Sequence, residues 1–355
     1  MIARWWERRR GSGEKSAGTS APTSVGVPVG GTVLVLGVLS VLLCLVSLAV
    51  GSHSLTLEEV AGAFVPGRTT VASVIVWQLR MPRTVLAVMV GASLAVAGVV
   101  MQGLTRNPLA EPGILGINAG ASLSVVLSMS LLGLTDVSDF LWFAFAGAAL
   151  AAFLVHLMSV RSADAGPARL VLAGVALGAS LRSITGTITM YDSVTFDSYR
   201  FWVLGSLADR DAVLLVWVAP FLVVGLVLAL ASGLTLNALA LGEEQAKALG
   251  VSPRRARALA LTSITLLCGA STAAVGPISF VGLVVPQVLR LALGADQRRL
   301  LAVSLVAGPV LLLAADVVGR VILDSGEMEA GVVTAFIGGP VLLLMVIQRM
   351  GVKGR

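Results

Sequence analysis

Apolar runs close to the ~20 residues that cross a bilayer as a helix succeed one another along this chain with only short breaks. They fall near residues 31–50, 83–104, 113–133, 140–160, 169–190, 211–231, 257–275, 279–293, 300–320 and 331–348, each bounded by charge or by Gly and Pro. Backbone groups in hydrocarbon must be hydrogen-bonded within their own segment, so the runs are read as helices. Only 12% of the 355 residues are charged, against about 25% in a soluble domain. The expected fold is therefore all-α: a polytopic membrane protein with about ten transmembrane helices in a compact bundle. The loops left over are too small for a second soluble domain.

The first run could be mistaken for a secretory signal, because Arg4, Arg8, Arg9, Arg10 and Lys15 precede it. A signal core runs about 7–15 residues and ends at small residues, whereas Val33–Val50 is longer and Cys44 follows Leu43. We read it as the first span. Residues 1–29, rich in Ser, Gly, Thr and Pro from residue 11 onward, are expected to be a disordered cytoplasmic tail. A membrane-spanning domain over 30–350 and a short C-terminus, 351–355, follow.

Ten spans put both ends of the chain on one side. All of the 25 Lys and Arg except Arg68, Arg80, Arg83, Arg182, Arg200, Arg210 and Arg320 then fall on that side, which marks it as cytoplasmic. The outer side collects Asp136, Asp139, Asp192, Asp197, Asp209, Asp211, Asp324, Glu327 and Glu329. A few arginines standing on so acidic a face need a reason. Asp316 lies inside a span, where a lone carboxylate costs about 3 kcal/mol, and a partner is expected for it; Arg320, four residues on, is one candidate.

Gly91, Ala95 and Gly98 in the second span, and Gly147 with Ala151 in the fourth, are small residues at helical spacing that allow close helix contact in lipid. Gly276-Pro277 and Pro286 predict a tight outer hairpin and a short or kinked eighth span. Catalytic and metal readings lack material. His53 and His156 fall on opposite sides, there is no HExxH, and Cys44 and Cys268 sit in separate spans. No phosphate loop occurs, so any ATPase driving this chain is another polypeptide.

The amphipathic stretch 234–257 carries Glu243, Glu244 and Lys247, a stop at Leu249-Gly250, and a second basic turn at Arg254, Arg255 and Arg257. Two short helices broken at Gly250 and Pro253 are expected at the cytoplasmic surface. They are either an ordinary basic loop or a docking element for a cytosolic motor.

Several segments together resemble the permease subunits of ABC importers for iron-siderophores, haem and cobalamin. They are LRMPRTVLAVMVGASLAVAGVVMQGLTRNPLAEPGILGINAGAS (79–122), LVLAGVALG (170–178), FWVLGSL (201–207), LNALALGEEQAKALGV (236–251), GPISFVGLVVPQVLRL (276–291), AADVVGR (314–320) and GVVTAFIGGPV (331–341). The resemblance implies a ten-helix importer permease of the type II fold that pairs with itself or a similar subunit. Two cytosolic ATPases would bind below it and an extracytoplasmic solute-binding protein above. It implies that Leu241, Gly242, Glu243, Glu244, Ala246, Leu249 and Gly250 form the coupling helix against an ATPase. Arg80, Arg83 and Arg320 would receive acidic side chains of the binding protein, with anchoring of the second span as the alternative for Arg80 and Arg83. Asn107 and Pro108 would lie at a cytoplasmic constriction and the fifth span would line the pathway. Arg182 in that span either meets an anionic chelate or is paired or snorkels outward. ATP and Mg2+ would be bound by the partner ATPases, and no cofactor by this chain. Gln287, Glu329 and Leu342 depart from the family pattern, where His, Pro and an aromatic are usual. Ferric siderophores are the expected cargo and haem or cobalamin the alternative. An ion-coupled secondary transporter would need more intramembrane charge than Asp316 and Arg182 provide.

Overall fold

The computed structural model describes residues 28–51, 55–65, 70–160, 167–323 and 326–353, and within them the regular structure is entirely helical. The predicted tail falls almost wholly outside the described residues, as do His53, Arg68 and Asp324.

In chain order the helices are α1 Val29–Ala49, α2 Leu57–Gly62, α3 Val71–Val74, α4 Met81–Thr105, α5 Ile117–Leu132, α6 Val137–Val160, α7 Pro167–Tyr191 and α8 Ser193–Val203. Then come α9 Ala212–Ala231, α10 Gly233–Ala240, α11 Glu243–Ala248, α12 Pro253–Val275, α13 Val281–Leu293, α14 Gln297–Val321 and α15 Ala330–Lys353. Eight helical segments are long and apolar enough to cross a membrane, and α5 and α13 are shorter apolar helices. Each expected span is found as a helix, with ends displaced by a few residues. We call the end where α1 begins the near face and the other the far face.

Two differences have clear causes. The second span does not start at residue 83: α3 runs through a π-helical stretch, Ile75–Arg80, into α4, making one 35-residue rod. Pro82 has no N–H to offer the Gln78 carbonyl, and the helix widens where that bond is missing. The basic turn Arg254–Arg257 is not a separate short helix but the first turn of α12, because Pro253 sits at a helix start, where its missing N–H costs nothing. The expected break at Gly250 and Pro253 is present, between α11 and α12, and a second one lies at Leu241-Gly242, with Gly242 at φ 122°, between α10 and α11.

The rod's α4 part is the bundle axis, packing against α14, α12, α13 and α9. Its glycines let backbones touch. A Cβ on Gly98 would lie 1.8 Å from the Gly282 carbonyl oxygen, and one on Gly91 2.7 Å from that of Gly308.

At about 24 and 20 Å, α5 and α13 (16 and 13 residues) fall short of the ~30 Å hydrocarbon layer. The segments before them enter the bundle and meet there. Residues 276–280 pass from the Trp202–Gly205 turn down to the near-face turn 106–116, where the Glu111 carboxylate accepts the Phe280 N–H at 2.7 Å. Phe280 holds φ 69°, the left-handed region uncommon for a bulky side chain. The expected short eighth span with Pro286 inside it is present as α13.

Candidate functional site

Three surfaces carry the polar chemistry. On the far face, Gly51 after α1, the π-helical stretch and the segments before α9 and α15 converge on a cavity of about 500 Å³ lined by Arg80, Arg83, Arg210, Arg320, Asp209, Asp211 and Glu327. Its floor is a buried charge cluster. Asp316, 1% exposed, accepts from Arg83 Nε at 3.0 Å and Nη2 at 2.8 Å and pairs with Arg320. The planar guanidinium grips both carboxylate oxygens, as fork geometry allows. Arg83 Nη1 also reaches Glu327 Oε2 at 2.6 Å. Arg320 donates to the Ser47 carbonyl at 2.7 Å and hydroxyl at 3.0 Å, and Arg80 Nη1 to the Leu48 carbonyl at 2.7 Å.

These contacts revise the picture of three arginines held out for a partner. Arg80 and Arg320 are buried and tie α1 to the π-helical stretch and to α14, and the i, i+4 pair Asp316–Arg320 is formed. Arg83, 13% exposed, bridges the buried cluster and the cavity mouth. Arg210 was missed by sequence reasoning. It donates to the Ser206 carbonyl at 3.3 Å, burial pulls its guanidinium down, and Glu329 and Asp209 oppose that pull. Its only sequence signal was one cation between two aspartates.

On the near face, α10, α11 and the start of α12 close around Ala238, Leu239, Ala246 and Ala256. This small core leaves Leu241 and Leu249 standing out at 64% and 63% exposure, with Glu244 exposed between them. Glu243 is turned inward onto Arg257. Asn237 fastens α10 to the first turn of α14: its amide donates to Asp296 at 3.0 Å and its carbonyl accepts the Gln297 N–H at 2.9 Å. The Asn237 amide is the main cause holding the Asp296 carboxyl below its usual range. Thus the predicted coupling residues divide into support (Gly242, Glu243, Ala246) and an exposed ridge (Leu241, Glu244, Leu249), with Gly250 at φ 78° closing the turn.

The third surface is α7. The exposed residues of α1 and α9 include Leu34, Val35, Val41, Val216, Val223 and Val227, suited to lipid. On α7 the apolar Leu172, Val175, Ile184 and Met190 are exposed together with Ala176, Ala179, Ser180, Arg182, Ser183, Gly186 and Thr187, so small and polar residues interrupt the apolar surface. Ser180 and Thr187 bond back to carbonyls one turn earlier, at 3.1 and 3.0 Å. The Arg182 side chain folds back toward Gly178, and no ion pair holds it among the described residues. Asn107 Oδ1 caps the Leu109 N–H at 3.0 Å in the near-face turn just after Arg106, which has φ 51°, and Pro108 follows it there. In the same turn Glu111, also missed, is pushed up by burial against the lowering effect of the Phe280 N–H. Of the departures from the family pattern, Gln287 is buried in α13 with Oε1 lacking a hydrogen-bond partner among the described residues, and Leu342 is half-buried in α15.

A ten-helix bundle with an arginine- and carboxylate-lined far-face cavity and an apolar near-face ridge is matched over residues 38–348 by the sequence model of the FecCD transport family. The chain belongs to that family. It is 44% identical to the ferric enterobactin transport system permease protein FepD of Escherichia coli K12, over 85% of this chain and 91% of that one. It is 43% identical to the vitamin B12 import system permease protein BtuC of Yersinia pseudotuberculosis IP 31758, over 78% and 83%. A solved metal-chelate type ABC transporter in an inward-facing conformation superposes with TM-score 0.79 at 28% identity, covering 90% of this chain and 99% of that one. The chain is thus a multi-pass transport permease, as its residues implied.

Proposed function

We propose that this FecCD permease is the membrane subunit of an ATP-driven importer of ferric siderophores. Two permease subunits face one another across the pathway, two cytosolic ATPases bind the near face, and a solute-binding protein delivers the chelate to the far face. The near face is cytoplasmic, in line with the distribution of Lys and Arg, and ATP and Mg2+ belong to the ATPases.

The observation that carries this reading is the contrast between the two ends. A rigidly backed ridge with two exposed leucines suits a groove in a soluble protein. A cavity that gathers four arginines beside Asp209, Asp211 and Glu327 suits a charged partner surface, with Arg83 and Arg210 as receivers of its acidic side chains and Arg80 and Arg320 as their buried backing. Between the ends, Asn107 and Pro108 form the near-side constriction, and the small polar face of α7 lines the pathway. Loaded binding protein docks outside, ATP closure moves the ridge, and the subunits rock to open one side and close the other.

Similarity to a ferric enterobactin permease supports iron chelates as cargo. The comparable identity to a vitamin B12 permease supports cobalamin as a second reading. The cation at Arg182 on α7 favours an anionic chelate over it.

The test is uptake of a radiolabelled ferric siderophore into proteoliposomes holding the permease and its ATPase. Binding protein is added outside, and cobalamin competes in a parallel arm. ATP-dependent uptake lost in Arg83→Glu/Arg210→Glu, with ATPase assembly retained, is the expected result. Uptake needing neither ATP nor binding protein would overturn the importer reading, and cobalamin uptake without siderophore uptake would overturn the cargo.

A further inference from the structure

Away from all three surfaces, α6 and α12 run antiparallel and leave between them a groove of about 300 Å³ that opens outward from the bundle. The pairing of His156 with Ala258 at one end and of Phe145 with Leu266 at the other sets its direction. From Ala258 to Leu266 it extends about 12 Å, within one leaflet of a ~30 Å hydrocarbon layer. Its polarity is graded. The deep end is Phe145 and Leu266, beside Thr265, whose hydroxyl is taken up by the Leu261 carbonyl at 2.8 Å, whereas the end toward the near face holds Thr262 and His156, whose Nδ1 has no hydrogen-bond partner among the described residues.

Charge continues the gradient. Arg254 lies one helical turn before Ala258 and Arg255 two turns before Thr262, so both stand below the groove on the stripe of α12 that lines it. Both are exposed, and neither makes an ion pair among the described residues, whereas Arg257 on another side of the helix holds Glu243. The first turn of α12 carries no carboxylate to offset them. Two unopposed cations below polar groups below an apolar slot is the reverse image of a phospholipid: phosphate, glycerol ester, acyl chain.

We propose that this groove is a binding site for one anionic phospholipid of the near-face leaflet. The acyl chain lies between α6 and α12, the glycerol region meets Thr262 and His156, and the phosphate is held by Arg254 and Arg255. The electrostatic contribution of two arginines near an anionic headgroup sets a preference of about tenfold or more over a zwitterionic lipid with the same chains.

The experiment uses the purified full-length chain in nanodiscs. It is doped with phosphatidylglycerol or phosphatidylcholine bearing a photoactivatable diazirine in one acyl chain, and adducts are mapped by peptide mass spectrometry. Expected is phosphatidylglycerol labelling concentrated on peptides 145–156 and 258–266 and exceeding phosphatidylcholine labelling by about tenfold. Arg254→Gln/Arg255→Gln lowers it to the phosphatidylcholine level. Ala258→Trp, which fills the groove from an exposed position and leaves the packed core alone, abolishes it. Equal labelling by the two lipids in the wild type, labelling spread evenly over the lipid-facing residues of α1 and α9, or a preference that survives Arg254→Gln/Arg255→Gln would each overturn the site.

Discussion

Asp316→Ala is expected to be among the most damaging single changes outside the tightest helix contacts. The carboxylate is 1% exposed and serves two guanidiniums, Arg83 through Nε and Nη2 and Arg320 at i+4. The two cations are left unequally. Arg83 keeps Glu327 at 2.6 Å and has access to the cavity. Arg320 keeps only neutral partners among the described residues, the Ser47 carbonyl and hydroxyl and the Val50 carbonyl, and its charge stays buried. Removing one member of a buried pair costs about 3–5 kcal/mol, most of it the uncompensated charge left behind. Asp316→Leu combined with Arg320→Met removes both charges together and leaves Arg83 on Glu327, so it is expected to recover most of that loss. Reversible SDS denaturation in mixed micelles, followed by helix content, measures both. An Asp316→Ala loss under about 1 kcal/mol, the range of exposed pairs, or a double variant no better than the single, would refute the claim that a buried charge, and not lost packing, sets the cost.

Other expectations follow from single contacts. Gly98→Ala places a methyl 1.8 Å from the Gly282 carbonyl oxygen, so α4 and α13 must separate; a loss of about 3 kcal/mol or more in the same denaturation assay is expected, and wild-type stability would contradict the contact. Leu241→Ser/Leu249→Ser, both at exposed positions, is expected to leave stability within about 0.5 kcal/mol while abolishing co-purification with the ATPase; retained assembly would remove the ridge from the interface. Burial holds the Glu111 carboxyl above its usual range. From about pH 4.3 up to that raised value the folded state therefore keeps a proton the unfolded chain has lost, and stability falls as pH rises. Glu111→Gln keeps an acceptor for Phe280 and is expected to flatten this slope relative to wild type, whereas identical pH profiles would count against a buried ionisable Glu111.

The helices were legible because hydropathy in lipid is a strong, local signal: each span from 31–50 to 331–348 reappears as a helix. What escaped depends on contacts distant in sequence. The amphipathic helix α8 is too short and too polar to register as a span. The rod extending α4 back to residue 71 is apolar enough, but the apolar run is bounded at Arg83, and nothing local shows that the helix continues through Pro82 into the π-helical stretch before it. The Asp316–Arg320 pair was open to sequence reasoning because i+4 is local. The Arg83 fork, 233 residues away in the chain, and the Glu111–Phe280 bond, 169 away, were not. Those partners also decide exposure. Sequence showed three arginines on an acidic face, and only the fold shows two of them turned into the bundle.

The near-face ridge and the far-face cavity are joined by one element. α14 begins at the Asn237–Asp296 clamp beneath the coupling ridge and reaches Asp316 and Arg320 beneath the far-face cavity 20 or more residues later. Midway, Gly308 lies backbone to backbone against Gly91 of α4, with no side chain between them to rearrange. Packed interfaces of this kind shift as units and do not deform gradually. A pull on the ridge therefore reaches the charge cluster through displacement of the α4–α14 body as a whole, since local bending would have to break a glycine contact that leaves no slack. Compliance lies elsewhere. α7 packs against α5 and α6, with Gly174 against the Ile114 carbonyl, and on its exposed side Leu172, Val175 and Ile184 alternate with small and hydroxylated residues. Residues of that kind permit close approach and sliding without locking side chains together. The division between a stiff strut and a smooth outer helix is what a subunit needs if its movement is to be relative to a facing copy, with the pathway opened and closed at the boundary between them.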